Sequence, residues 1–114
     1  MKALEIAKLL DAKIITSPSE DGPEIERAFA SDLMSDVLTV ETEKMTLITG
    51  LANPQTIRTA EMSDVNCIIF VRGKKVTTEM HELATELGIT VLECRSSMFK
   101  TAGILYNAGI KALY

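Results

Sequence analysis

The sequence predicts an α/β protein: a three-layer sandwich whose central sheet is mainly parallel, with helices packed on its faces. Apolar strand segments alternate with amphipathic helical segments three times in the C-terminal two-thirds, as in proteins built from parallel strand–helix units. The segment 67–71 is apolar throughout, as expected for a strand buried on both faces. No linker-like stretch interrupts the 114 residues, so we expect residues 1–114 to form one domain.

The chain opens with signals for a helix, a short strand and a loop. Residues 3–10 place apolar side chains at helical spacing, which predicts one buried helix face. Those side chains are Ala3, Ile6, Ala7 and Leu10. Residues 13–16 then predict a short strand, and the turn-forming residues 17–23 predict an exposed loop.

The next segment predicts a strand followed by a helical turn. Residues 24–30 alternate in a way that indicates a strand, with Ile25, Arg27 and Phe29 on the same side. Residues 32–38 predict a short helix with Ser31 or Asp32 as its N-cap.

The three strand–helix units that follow carry strong helix boundary signals. Their strands are predicted at residues 46–50, 67–71 and 89–92. Asn53-Pro54 starts the first helix, Thr77 or Thr78 starts the second, and Gly88 ends it. Ser96-Ser97 precedes the last helix, whose predicted apolar face contains Phe99, Ala102, Gly103 and Tyr106.

Composition excludes several function classes. The net charge of −4 and the pI near 5 argue against a nucleic-acid-binding protein. No apolar run is long enough for a signal peptide or a membrane span, so we expect a cytoplasmic protein that binds no membrane. Cys67 and Cys94 lack a C-x-x-C spacing and are expected to be free thiols.

The best candidate site lies where the three central strands end. In a parallel sheet these ends meet at one edge, and each is followed by a helix N-terminus that attracts anions. The candidate ligand-binding residues are Thr49, Gly50, Asn53, Arg72, Gly73, Arg95, Ser96 and Ser97. Another interpretation is that Arg72, Lys74, Lys75 and Arg95 only keep exposed loops soluble.

Motifs for catalysis, cofactors and metals are missing. The segment after Thr49 lacks the further glycines of a dinucleotide fingerprint, and Gly73-Lys74 lacks the spaced glycine of a P-loop. His81 has no second histidine one turn away. We therefore expect no catalytic residue, no cofactor and no metal site.

The last helix also bears on assembly. It is apolar on more than one side, so it either packs deeply against the sheet or forms a subunit contact. We expect a twofold homodimer.

Three segments together resemble the DRTGG domain family, here as a freestanding protein. They are residues 28–38, 47–55 and 69–75, and the similarity runs from about residue 3 to the end of the chain. The literal Asp-Arg-Thr-Gly-Gly string is absent and only Thr49-Gly50 corresponds to it. The resemblance implies a fold akin to the N-terminal domain of HPr kinase/phosphorylase and, more distantly, of Mur ligases. It also implies an accessory or regulatory role and no catalytic residues.

These observations favour a non-catalytic, dimeric regulatory module that senses a small anionic ligand or a nucleotide. One alternative is a small phosphate- or acyl-transfer enzyme, in which Arg72, Arg95 and Ser96 would converge on a pocket. Another is a protein-interaction scaffold whose C-terminal helix docks a partner.

Overall fold

The computed structural model describes all residues from Met1 to Tyr114 and contains six strands and five helices. The helices are α1 (Ala3–Leu10), α2 (Met34–Val37), α3 (Pro54–Met62), α4 (Thr78–Leu87) and α5 (Met98–Asn107). The strands are β1 (Lys13–Thr16), β2 (Arg27–Ala30), β3 (Met45–Thr49), β4 (Cys67–Phe70), β5 (Thr90–Glu93) and β6 (Lys111–Ala112).

All six strands belong to one sheet in the order β1-β5-β4-β3-β2-β6. Strand β1 is antiparallel to β5, and every other neighbouring pair is parallel. In the centre of the sheet Ile48 is paired with Ile69, which is paired in turn with Leu92. The predicted mainly parallel α/β sheet is therefore confirmed.

Helices cover both faces of the sheet and create two apolar cores. One core joins α1 and α5 to one face, with Ile6, Ile69 and Leu105 among its buried residues. The other joins α2, α3 and α4 to the opposite face and includes Ile57 and Phe70. Burying both faces explains the unbroken apolar run in β4 and gives the predicted three layers.

Local boundary signals act as predicted in three helices. The Asn53 side chain accepts a hydrogen bond from Thr56 N at the start of α3, Thr77 does so from Met80 N in α4, and Ser97 does so from Lys100 N in α5. Gly88 ends α4 with a φ of 71°. Each cap satisfies a backbone donor that the helix itself leaves free.

The predicted cap of α2 is wrong. The N-cap residue is Leu33, and its side chain makes no capping bond. The Ser31 hydroxyl accepts from Leu33 N, one residue before the helix, and the Asp32 carboxylate turns towards the end of β3.

Two large side chains of the apolar face predicted for α5, Phe99 and Tyr106, do not pack on the sheet. Phe99 and Tyr106 are 90% and 69% exposed, whereas Thr101 and Leu105 face the sheet. Thr101 can be buried because its hydroxyl lies 3.6 Å from Cys94 Sγ, within hydrogen-bond distance of the sulfur.

Two smaller differences concern residues 24–30 and the last strand of the sheet. The alternation predicted for residues 24–30 fails at Ile25, which joins the α1–α5 core whereas Phe29 packs on the other side of the sheet. Ile25 precedes the first residue of β2, so the strand period does not reach it. The short edge strand β6 was not predicted.

Candidate functional site

The carboxyl ends of β3, β4 and β5 meet at one edge of the sheet, and backbone hydrogen bonds join them. Val71 N donates to Thr49 O at 3.0 Å, and Arg72 N donates to Ser96 O at 2.7 Å. Gly73 N donates to Cys94 O at 3.0 Å. The three strand ends predicted to be adjacent thus form one connected surface, which we call the carboxyl edge.

Asp32 is fixed to the end of β3. Its Oδ1 accepts hydrogen bonds from the Thr49 hydroxyl at 2.8 Å and from Gly50 N at 2.7 Å. The parallel pairing of β2 with β3 brings Asp32 to this position, and Ser31 N continues the pairing by donating to Ile48 O. The Gly50 N–H and then the Thr49 hydroxyl hold the pKa of Asp32 below its usual value, because both bonds favour the charged carboxylate.

Arg72 and Asp32 both lie close to Gly50. A Cβ built on Gly50 would lie 3.5 Å from Arg72 Nη2 and 3.7 Å from each Asp32 carboxylate oxygen. Gly50 does not have a positive φ, so its backbone conformation does not require glycine. The Cβ position that glycine leaves empty is thus bordered at ordinary contact distance by a carboxylate and a guanidinium group that form no ion pair with each other.

The loop that carries Arg72 is strained. Arg72 and Gly73 have φ values of 64° and 72°, and Lys74 N donates to Val71 O at 3.4 Å. Two left-handed central residues resemble a type I′ turn, in which arginine is unfavourable at the first central position. Strain of this kind concentrates at functional sites.

The other predicted site residues have different roles. The side chains of Asn53 and Ser97 are engaged as helix caps. Ser96 contributes its carbonyl group to Arg72 N, and the exposed Arg95 side chain makes no hydrogen bond or ion pair. Of the predicted set, Thr49, Gly50 and Arg72 therefore form the centre of the edge together with Asp32, which sequence reasoning assigned only to a helix cap.

The lysines beside Arg72 differ from each other. Lys75 Nζ lies 3.7 Å from Glu93 Oε1, and Glu93 Oε2 accepts from Val76 N at 2.7 Å. The Lys74 ammonium has no such partner and contributes, after Arg72, to lowering the Asp32 pKa. The unpaired positive charges at the carboxyl edge are therefore those of Arg72, Lys74 and Arg95, and of these Arg72 and Lys74 act on Asp32.

The surface of the carboxyl edge is shallow. The depressions of the molecular surface are lined by residues elsewhere, and none includes Arg72, Arg95 or Ser96. No group of three His, Cys, Asp or Glu side chains is arranged to hold a metal ion. None of the helices is both long and apolar enough to cross a membrane.

The sheet order and the joined strand ends define an α/β module with its candidate site at the carboxyl edge. The family model of the DRTGG domain matches residues 5–108, and the chain belongs to this family. The resemblance expected from the sequence is thus confirmed.

A solved structure has the same fold. It contains the CBS and DRTGG domains of the regulatory region of Clostridium perfringens pyrophosphatase, complexed with the activator diadenosine tetraphosphate. The similarity has a TM-score of 0.75 at 17% identity and covers 91% of this chain and 45% of that one. The present chain therefore spans less than half of that regulatory region. No curated protein matches the sequence.

Proposed function

We propose that residues 1–114 form a non-catalytic regulatory domain that binds a small anionic ligand, such as a nucleotide, at the carboxyl edge. The observation that carries the proposal is the exposed Arg72 guanidinium and the Asp32 carboxylate, which both lie within contact distance of the Cβ position of Gly50 without forming an ion pair with each other. The domain's occurrence in the regulatory region of the Clostridium perfringens pyrophosphatase, which is complexed with a nucleotide activator, supports a regulatory role. Two buried free thiols support a location in the reducing cytoplasm.

The charged side chains beside Gly50 favour a ligand that carries both an anionic group and a hydroxyl group. Asp32 Oδ1 already occupies Gly50 N, so an anion cannot bind that amide. An anionic group is instead expected on the exposed Arg72 guanidinium, with Lys74 nearby. Asp32 Oδ2 accepts no hydrogen bond from the protein and can accept one from a ligand hydroxyl. A phosphate joined to a sugar carries both groups.

Thermal unfolding with a panel of AMP, ATP, diadenosine tetraphosphate and inorganic phosphate tests this site. Ligand at 100 times its Kd should stabilise the protein by about 2.7 kcal/mol. Arg72→Gln should remove this shift, while Arg58→Gln, which changes an exposed arginine on α3, should retain it. A shift that persists in Arg72→Gln, or no shift with any nucleotide, would contradict ligand binding at this edge.

We further propose that the domain forms a twofold homodimer through the outer face of α5. Phe99 and Tyr106 are exposed two turns apart, with Gly103 between them. Nothing lies within 4 Å of a Cβ built on Gly103, so a second helix can approach closely there. A twofold axis at Gly103 with antiparallel helices would place Phe99 of each protomer against the partner's Tyr106, which makes the contact self-complementary.

Sedimentation over a range of protein concentrations tests the dimer. The wild type should associate, and Phe99→Ser combined with Tyr106→Ser should sediment as a monomer. Met62→Ser is the matched control, since Met62 is 60% exposed on the opposite side of the sheet. A wild type that is monomeric throughout, or a dimer that survives the double substitution, would exclude this interface.

A further inference from the structure

Whereas the carboxyl edge lies at the start of α3, a second surface lies where the end of α3 meets the segment that follows α2. It is a groove of about 400 Å³. Its apolar lining includes Leu38 and Met62, which are 52% and 60% exposed, and Val40, which is buried in the core. The Ser63 hydroxyl donates to Val37 O at 3.1 Å and holds the two walls together. Two large apolar side chains are thus presented to solvent on a supported surface.

The groove is surrounded by negative charge. Glu41, Glu43 and Asp64 line it, all three are exposed, and none takes part in an ion pair. Helix α3 ends in this groove with no basic residue in its last turn, so its negative dipole end adds to the field. The nearest basic residue along the chain is Lys44, but its Nζ lies 3.6 Å from Glu26 Oε1 and is paired there. Arg58 is one turn before Met62 and does not line the groove.

We propose that this groove docks a basic amphipathic segment of a partner protein. Apolar side chains of the segment would contact Leu38 and Met62, while its lysines or arginines would face the three carboxylates. Charge decides between the classes of partner, because nucleic acids and anionic membrane surfaces are repelled by the same carboxylates. The α5 face lies on the other side of the sheet, so this proposal does not depend on the dimer or on the ligand of the carboxyl edge.

The test uses the full chain and a peptide of about four helical turns with leucine and lysine at helical spacing. Two matched peptides replace every lysine with glutamate or every leucine with serine. Amide chemical shifts of the labelled protein should change at residues 38–43 and 61–64 with the Leu/Lys peptide only. Fluorescence anisotropy should show that the affinity of the protein for the Leu/Lys peptide falls as the salt concentration is raised.

Substitutions identify the groups that bind. The double variant Leu38→Ser/Met62→Ser should weaken binding of the Leu/Lys peptide by about tenfold, because it removes the apolar contacts. The double variant Glu41→Gln/Glu43→Gln should weaken it by a similar factor, because it removes two of the carboxylates that face the lysines. Glu79→Gln with Glu82→Gln is the control, because these two glutamates are exposed on α4 and lie outside the groove. Equal binding of the Ser/Lys peptide, shifts confined to another surface, or equal weakening in the control would overturn the proposal.

Discussion

Asp32 and Gly50 are joined by a hydrogen bond of 2.7 Å, in which Gly50 N donates to the carboxylate Oδ1. The bond connects the loop after β2 to the end of β3, and the Thr49 hydroxyl donates to the same oxygen. An internal carboxylate thus occupies the position at which the end of a parallel strand would otherwise offer an N–H to an anion.

Asp32→Asn should lower the free energy of unfolding at pH 7 by about 1 kcal/mol, because the amide keeps an acceptor oxygen but loses the charge. The expected loss of stability is small because Asp32 is exposed and solvent screens its charge. The folded state lowers the Asp32 pKa below 3.8, so this stabilisation is present above pH 3.8 and is lost as the pH falls through the folded value. Urea unfolding of both proteins at pH 7, 5 and 3 measures the difference.

Asp36→Asn is the matched control, since the Asp36 carboxylate is exposed and makes no hydrogen bond. It should leave the stability unchanged at each pH. A difference between wild type and Asp32→Asn that stays constant from pH 7 to pH 3 would mean that the charge of Asp32 contributes nothing.

Gly50 and Gly22 should respond oppositely to alanine. Gly50→Ala places its methyl group in ordinary contact with Arg72 and Asp32, so the fold should be unchanged or stabilised by up to about 1 kcal/mol. Gly22→Ala forces a φ of 73° on alanine and places its Cβ 2.6 Å from Ala3 Cβ, which should destabilise the fold by about 2 kcal/mol or more.

Thermal melts measure both effects, and the nucleotide panel adds a second readout for Gly50→Ala. Because the methyl group occupies the Cβ position between Arg72 and Asp32, this variant should be at least as stable as the wild type but show a reduced ligand-induced shift. A destabilised Gly50→Ala would indicate that Gly50 is required by the fold rather than by a ligand.

The two thiols should be unreactive in the folded protein. Cys67 and Cys94 are both buried, and burial raises the pKa of the Cys67 thiol to about 11. Alkylation by iodoacetamide at pH 8 should be slower than in urea by roughly a thousandfold or more, since exposure requires an opening that costs ~5 kcal/mol.

Ser19→Cys provides the reference thiol, because Ser19 is exposed in the loop before β2. It should be alkylated at the rate of an unfolded peptide, and mass spectrometry separates its product from those of the buried pair. Rapid native labelling of Cys67 would show that β4 opens locally.

Signals that lie within a few residues of each other were sufficient to predict much of the fold. Asn53, Thr77 and Ser97 each bind a backbone amide three residues later, so the pattern that predicts the cap contains both partners. The parallel sheet followed from the repeated strand–helix order, and this order also placed Thr49 and Arg72 at the same edge.

The role of Asp32 could not be predicted in the same way. Its partner Gly50 is 18 residues away, and the two meet only because β2 pairs with β3. A local interpretation assigned Asp32 to α2, which begins two residues later. Strand β6 is only two residues long, which is too short for any periodic signal.

Truncating a side chain to alanine should change the stability very differently on the two sides of α5. Leu105 is 1% exposed and belongs to the α1–α5 core, so Leu105→Ala should cost about 2–5 kcal/mol through lost burial and a cavity. Phe99 is 90% exposed, so Phe99→Ala in dilute protein should change the stability by less than about 0.5 kcal/mol. Urea unfolding at low concentration compares the two variants, and Lys100→Ala controls for any general effect on the helix, since Lys100 is also exposed. A large loss in Phe99→Ala with a small one in Leu105→Ala would mean that α5 is rotated and that the apolar stripe read from the sequence faces the sheet.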